Sequence, residues 1–223
     1  MWAGKKINLN DVRKLASIAR DYNLARLSWD GELIALLSSP DQKISGIKVL
    51  PPDKFFMQTS KEAEEVMVRD VLEALDNAKN VADLFSGLGT FTLPIARSMK
   101  VISFESSPEM LKSLDIAYKN SSGLKPIKTI VRNLYKNPVK AKELHTLDAV
   151  IINPPRAGAE AQVKELVKSN ISKIISISCN PETFARDSEI LVRGGYRLEW
   201  LRVVDQFRYS HHIELIAKFI KIN

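Results

Sequence analysis

Cysteine is almost absent from this chain: among 223 residues there is one, Cys179. A single thiol excludes an intramolecular disulfide and leaves too few ligands for a cysteine-held zinc or iron–sulfur centre. A reducing, cytoplasmic setting is therefore expected, with no metal site. Long apolar runs are missing too. No stretch reaches the ~20 apolar residues of a membrane span. The start, Met-Trp-Ala-Gly-Lys-Lys, lacks the apolar core of a secretory signal. The sequence reads as soluble, with no membrane partner. There is no Walker-type Gly-Lys-Ser/Thr, which speaks against ATP hydrolysis. Neither internal repeats nor low-complexity tracts interrupt the chain.

What is present is enough for one ordinary core and a small appendage, since 45% of the residues are hydrophobic. The formal net charge is +7. Lysine and arginine gain by releasing counterions from phosphates, so a polyanionic partner fits. The basic residues are interleaved with acids, among them Lys136, Lys140, Arg186 and Arg202. Charge alone therefore admits a nucleic acid without requiring one.

Asp11 to Leu24 is amphipathic at helical spacing, with Val12, Leu15, Ile18, Ala19 and Tyr22 on one side. A hairpin follows, turning at Asp30-Gly31, and Ile44 to Leu50 reads as a further strand. This block, residues 1–54, is expected to be a small α+β segment preceding the main domain at 55–223. From there strand and helix alternate. Thr59-x-x-Glu62 forms a possible capping box, opening a helix with Val68, Val71, Leu72 and Leu75 inward. Strands are predicted at Val81–Phe85, Val101–Phe104, Ile127–Val131, Ala149–Ile152, Ile174–Ser178, Leu198–Val204 and Ile213–Ile220. Helices are predicted at Phe91–Ser98, Pro108–Lys119, Glu160–Ser169 and Glu182–Arg193. The alternation argues for an α/β doubly wound sheet, mostly parallel, and the closing strand–strand pair for an antiparallel edge. Ligands on such sheets sit beyond the carboxyl ends of the strands.

The loops at those ends carry the candidate chemistry. Phe85-Ser86-Gly87-Leu88-Gly89-Thr90 lets the backbone approach a ligand closely, because glycine has no Cβ. Glu105, at the tip of the next strand, is placed to accept both hydroxyls of a ribose; a solvated surface acid is the alternative. Asn153-Pro154-Pro155-Arg156 makes a stiff, carbonyl-rich lip. Cys179 ends the fifth strand just before a helix N-terminus, a position expected to stabilise its thiolate; an inert buried thiol is the alternative. Glu214 enters the last strand and reads equally as a surface acid there. His211 and His212 would contact a phosphate or ribose, or simply cap the strand.

Together the run Asp83–Ala96, Glu105-Ser-Ser-Pro, Asn153-Pro-Pro-Arg-Ala-Gly158, Ser178-Cys-Asn-Pro-Glu-Thr-Phe-Ala-Arg-Asp187 and His212-Ile-Glu214 resembles the RNA uracil-C5 methyltransferases. The resemblance covers Leu24 to the C-terminus, and its most specific part is Ser-Cys-Asn-Pro paired with the late His-x-Glu. It implies a Rossmann-like class I methyltransferase fold with a seven-stranded sheet. It also implies S-adenosylmethionine as cofactor and tRNA or rRNA as substrate. Cys179 would add to C6 of a uridine and Glu214 would remove the C5 proton. Gln58, Phe85, Gly87, Thr90, Glu105, Asn133 and Asn153 would line the cofactor site. Asn153 stands where the family usually has an aspartate. Members are usually about twice this length, with an N-terminal RNA-binding barrel, so residues 1–54 would be the tail of a central RNA-binding region. The chain is accordingly expected to act as a monomer, alone or with a separately encoded RNA-binding subunit. A weakly active or inactive binding remnant is the alternative.

Overall fold

The computed structural model describes residues 7–53, 55, 60–205 and 213–222. Helix α1 (Leu9–Asp21) opens on a capping box, Asn8 accepting from Asp11 while the Asp11 carboxylate accepts from Asn8. It packs on the hairpin β1 (Arg26–Trp29) and β2 (Glu32–Leu36). The turn falls where expected: Asp30 and Gly31 both have positive φ, 49° and 86°, the signature of a tight hairpin. Of the five α1 residues read as one inward face, only Ala19 is buried, and Tyr22 is 75% exposed. A two-stranded hairpin is too small to cover that face.

The single strand expected at Ile44–Leu50 is instead a second hairpin, β3 (Gln42–Ile44) and β4 (Ile47–Val49), turning at Ser45-Gly46. Its buried Ile44 and Val49 pack with Leu111, Leu114 and Ala117 of α4 (Pro108–Lys119). Arg97 fastens the turn by donating to the Ser45 carbonyl at 2.8 Å.

The main sheet has seven strands in the order β10-β11-β9-β8-β5-β6-β7. In chain order these are β5 (Asn80–Leu84), β6 (Lys100–Glu105), β7 (Ile127–Val131), β8 (Ala149–Ile152), β9 (Lys173–Ser178), β10 (Tyr196–Val204) and β11 (Glu214–Lys221). Five run parallel through β7-β6-β5-β8-β9. The antiparallel element expected at the edge is β11, which runs against both β9 and the outermost strand β10. The other helices are α2 (Lys61–Leu75), the short α3 (Thr92–Ile95), α5 (Glu160–Val167) and α6 (Pro181–Arg193). The helix predicted at Phe91–Ser98 shrinks to the single turn α3. Helix α2 is capped by Ser60, whose hydroxyl accepts from Ala63; Thr59, the cap expected from sequence, lies outside the described residues.

Successive strand residues face opposite sides of the sheet, and the apolar core divides accordingly. Ala82, Val150, Ile152, Ile174 and Phe219 pack with Val163, Leu166, Phe184 and Leu191 on the α5–α6 side. Val81, Ala149, Ile151, Ile175, Ile177 and Ile216 pack with Met67, Val71 and Leu75 of α2 on the other. Both faces are dry, so the central strands read as continuous apolar runs rather than alternating ones. No described helix is long and apolar enough to cross a membrane.

Candidate active site

A cavity of about 480 Å³ opens at the carboxyl edge of the parallel strands. It gathers residues from six segments of the chain: Phe85, Gly87, Thr90, Glu105, Asn133, Asn153, Cys179 and Glu214 all line it. Eight of the nine residues singled out from the sequence thus meet in one place. The ninth, Gln58, lies outside the described residues, as do His211 and His212.

One end is built by the glycine loop and Glu105. Phe85 holds a φ of +63° and Gly87 one of +56°, turning the chain sharply off β5. A positive φ at an aromatic residue costs energy and clusters at functional sites. The turn is pinned by the Ser86 N–H donating to the Phe104 carbonyl at 3.1 Å and the Asn153 N–H donating to that of Leu84 at 3.2 Å. The Glu105 carboxylate closes the loop. Its Oε2 accepts from the Gly87 N–H at 3.1 Å, while Oε1 accepts from both Ser106 donors and the Ser107 N–H at 2.6, 2.9 and 3.0 Å. Oε1 is therefore saturated, and a ribose hydroxyl has Oε2 to approach. Asn133 is similarly engaged: its Oδ1 accepts from the N–H groups of Tyr135 and Lys136, leaving the amide NH₂ as the group to meet a ligand.

Beneath this loop lies Asp83, wholly buried. Thr92 Oγ1 donates to it at 2.6 Å and also contacts Ser103 Oγ at 3.1 Å. Burial pushes the Asp83 carboxyl up to about 7; the Thr92 hydrogen bonds oppose this and the Glu105 charge adds to it. Two buried oxygens here, Asp83 Oδ1 and Ser86 Oγ, have no partner among the described residues. Ser86 belongs to the loop that lines the cavity, but its hydroxyl oxygen is buried beneath that loop and does not open onto the cavity.

The other end is set by β9 and the reversed β11. Leu215 sits opposite Ser178, so Cys179 and Glu214 follow at the adjoining position. Reversal is the reason the pair exists: the first residue of β11 arrives at the edge where β9 ends. Glu214 is buried and Cys179 half-buried. The expected thiolate is not favoured here. Burial pushes the Cys179 thiol up and the Glu214 charge pushes it further, while Arg156, hydrogen-bonded to the sulfur, offsets part of the rise. The helix N-terminus does not compensate, since Asn180 caps it with its own side chain, accepting from Glu182 at 3.0 Å.

The long motif around Cys179 has a second use. Asn180 Nδ2 and Thr183 Oγ1 each donate to the Arg156 carbonyl at 3.1 Å, and Arg186 donates to the Ala157 carbonyl at 3.1 Å. The Asp187 carboxylate accepts from the Ala159 N–H at 2.6 Å, capping α5, whose own cap position is an alanine. One face of α6 thus clamps loop 156–159 over the thiol. Gly158 permits the approach: a Cβ there would meet Asp187 Oδ2 at 2.8 Å and Thr183 Cβ at 2.9 Å. Sequence reasoning missed this clamp, along with the contact of Arg156 with the Cys179 sulfur. The spacing of Asn180, Thr183 and Asp187 on one helix face was the available signal.

A glycine loop on a parallel sheet with one reversed strand near its edge defines a Rossmann-like class I methyltransferase fold. Residues 43–221 match the family model described as tRNA (Uracil-5-)-methyltransferase, and the chain belongs to that family. An uncharacterised RNA methyltransferase of Rhizobium meliloti is 42% identical over 218 residues, covering 96% of this chain and 52% of that protein. The 23S rRNA (uracil(1939)-C(5))-methyltransferase RlmD of Shewanella woodyi is 34% identical over 226 residues, covering 97% of this chain and 51% of that protein. Among solved structures, the tRNA (uracil-54, C5)-methyltransferase of Pyrococcus abyssi, in complex with S-adenosyl-L-homocysteine, superposes with a TM-score of 0.74 at 28% identity. It matches over 87% of this chain and 47% of that one. The chain spans about half the length of the curated relatives it matches.

Proposed function

We propose that this chain transfers a methyl group from S-adenosylmethionine to C5 of a uridine in tRNA or rRNA. The observation that carries the reading is the placing of Cys179 and Glu214 side by side at the wall of a cavity whose other end is a ribose-accepting loop. The donors fit the cofactor. Glu105 Oε2 would take a ribose hydroxyl and Asn133 would offer its amide to the adenine. When bound, S-adenosylmethionine supplies an electrophilic methyl group on a sulfonium.

The chain's own groups do the rest. The Cys179 thiol gives its proton to water and the sulfur adds to C6 of the uracil. The C5–C6 π electrons shift toward C5 and the O4 carbonyl, making C5 a nucleophile. Arg156, beside the sulfur, balances the thiolate charge before addition and after release. Once C5 carries the methyl group, the Glu214 carboxylate removes the remaining C5 proton. Those electrons restore the C5–C6 double bond and expel the Cys179 thiolate. Asn153 would face the edge of the ring, where a neutral amide both donates to a carbonyl and accepts from N3–H. On the same reading residues 55–223 are the transfer domain, and residues 1–54 belong to an RNA-gripping region.

Incubation with S-adenosylmethionine and unmodified tRNA or rRNA, followed by nucleoside mass analysis, tests the proposal. It predicts 5-methyluridine. A methyl group on another base or atom, or none with either RNA, would contradict it.

A further inference from the structure

Tyr135 is the part of the cavity wall that the proposed chemistry does not use. It follows Asn133 by two positions in a turn that Asn133 holds shut, Oδ1 accepting from Tyr135 N–H and Lys136 N–H at 3.1 Å each. Its ring lies 5.4 Å from that of Phe85, the planes inclined at 55°. One side of the ring is thus packed while 46% of the residue stays exposed. A large ring on a fixed turn, half open at the wall of the cavity, presents aromatic surface to solvent there. Phe85 belongs to the glycine loop and Asn133 holds the turn, so the ring stands on that side of the cavity wall, within electrostatic reach of Asp187 and Arg186 on α6.

We propose that the exposed face of Tyr135, backed by Phe85, is a stacking platform for a nucleobase of the RNA strand at the cavity mouth. The inference rests on the RNA-methylation reading above. An enzyme acting on a ring atom must draw its target out of the stack. Aromatic side chains hold unstacked bases because every base has a π face. Phe85 can serve as backing because its positive φ turns it off β5 toward the same wall.

Fluorescence anisotropy of a uridine-containing single-stranded RNA, with S-adenosylhomocysteine present to prevent turnover, provides the test. Tyr135→Leu keeps apolar bulk against Phe85 and removes the π face; Tyr135→Phe keeps both. Base–aromatic stacking corresponds to roughly 5- to 150-fold in Kd, and the leucine variant is expected to lose affinity within that range. The phenylalanine variant should stay within about twofold of wild type, since stacking needs no hydroxyl. The slope of log Kd against log salt should be unchanged in both, because no phosphate contact is removed. Calorimetry should give the same S-adenosylhomocysteine affinity for all three proteins. Unchanged RNA affinity in Tyr135→Leu would overturn the platform and leave the methylation reading standing. Weakened S-adenosylhomocysteine binding would overturn it too, assigning the ring to the cofactor's adenine. Absence of RNA binding by wild type and both variants would overturn the methylation reading with it.

Discussion

The two ends of the cavity are built on opposite plans. At the glycine-loop end the polar groups are already wired to the backbone. Glu105 accepts four hydrogen bonds from Gly87, Ser106 and Ser107, and Asn133 holds its own turn closed. At the thiol end the decisive groups oppose one another: a buried carboxylate faces a thiol that it pushes toward neutrality, with one guanidinium alongside. The first arrangement suits a ligand met on every turnover and fixed in shape before it arrives. The second would suit a nucleophile kept protonated, and so unreactive, until it gives up its proton.

Charge under the glycine-loop end should produce the largest effect. Asp83 has a carboxyl raised from 3.8 to about 7. The folded state therefore binds a proton more tightly than the unfolded one. Stability is not penalised below pH 4, falls as pH rises through the window up to 7, and is lowest above it. The penalty is roughly 4 kcal/mol at most, at 1.36 kcal/mol per pKa unit. Asp83→Asn keeps an oxygen for Thr92 and cannot ionise. The urea midpoint of the wild type should fall relative to that of the variant on going from pH 4 to pH 8.

Glu105→Ala attacks the wired end directly. Hydrogen bonds to a charged group are worth about 1.5–3 kcal/mol. S-adenosylmethionine affinity, measured by calorimetry, should fall by roughly 10- to 150-fold on that scale. An affinity left intact would mean that the loop does not hold a ribose.

The thiol end is held by the α6 clamp, and Asp187→Ala should loosen it. The change strands the Ala159 N–H and removes one of the partners of Arg186, which keeps the Ala157 carbonyl and Glu160. A buried donor left unpaired costs about 1–3 kcal/mol, which a shift in the urea midpoint would register. Methyl transfer should fall while S-adenosylmethionine affinity holds, because the clamp touches only loop 156–159.

The smallest effect reads the thiol itself. Alkylation of Cys179 should have its pH midpoint above the ~8.5 of free cysteine. Glu214→Gln should lower that midpoint by removing a like charge, and Arg156→Ala should raise it. A wild-type midpoint below that of free cysteine would reverse the contrast between the two ends.

Much of this was legible from the chain, and for identifiable reasons. Strands β7 and β8 and helix α4 fall at the residues predicted, because long periodic runs with clear caps leave little choice. The meeting of Cys179 with Glu214 was also legible, since both stand at ends of predicted strands. The failures share a cause: they depend on what lies across the fold. Ile44–Leu50 reads as one strand until Ser45-Gly46 is seen to turn it against α4. The thiolate expected at a helix N-terminus is opposed first by burial and then by the charge of Glu214, 35 residues later. The Asp187 cap on α5 joins two helices whose relation no local pattern encodes.

The central claim is that Cys179 bonds to the uracil ring and Glu214 ends the bond by taking the C5 proton. RNA bearing 5-fluorouridine tests it most directly, because fluorine at C5 cannot leave as a proton does and the adduct has no exit. With S-adenosylmethionine present, peptide mass mapping should find the methylated fluorouracil on the peptide containing Cys179. Cys179→Ala should give none, and Glu214→Gln should accumulate an adduct even with ordinary uridine. A fluorouridine adduct on any other residue, or methyl transfer to uridine surviving in Cys179→Ala, would contradict the account.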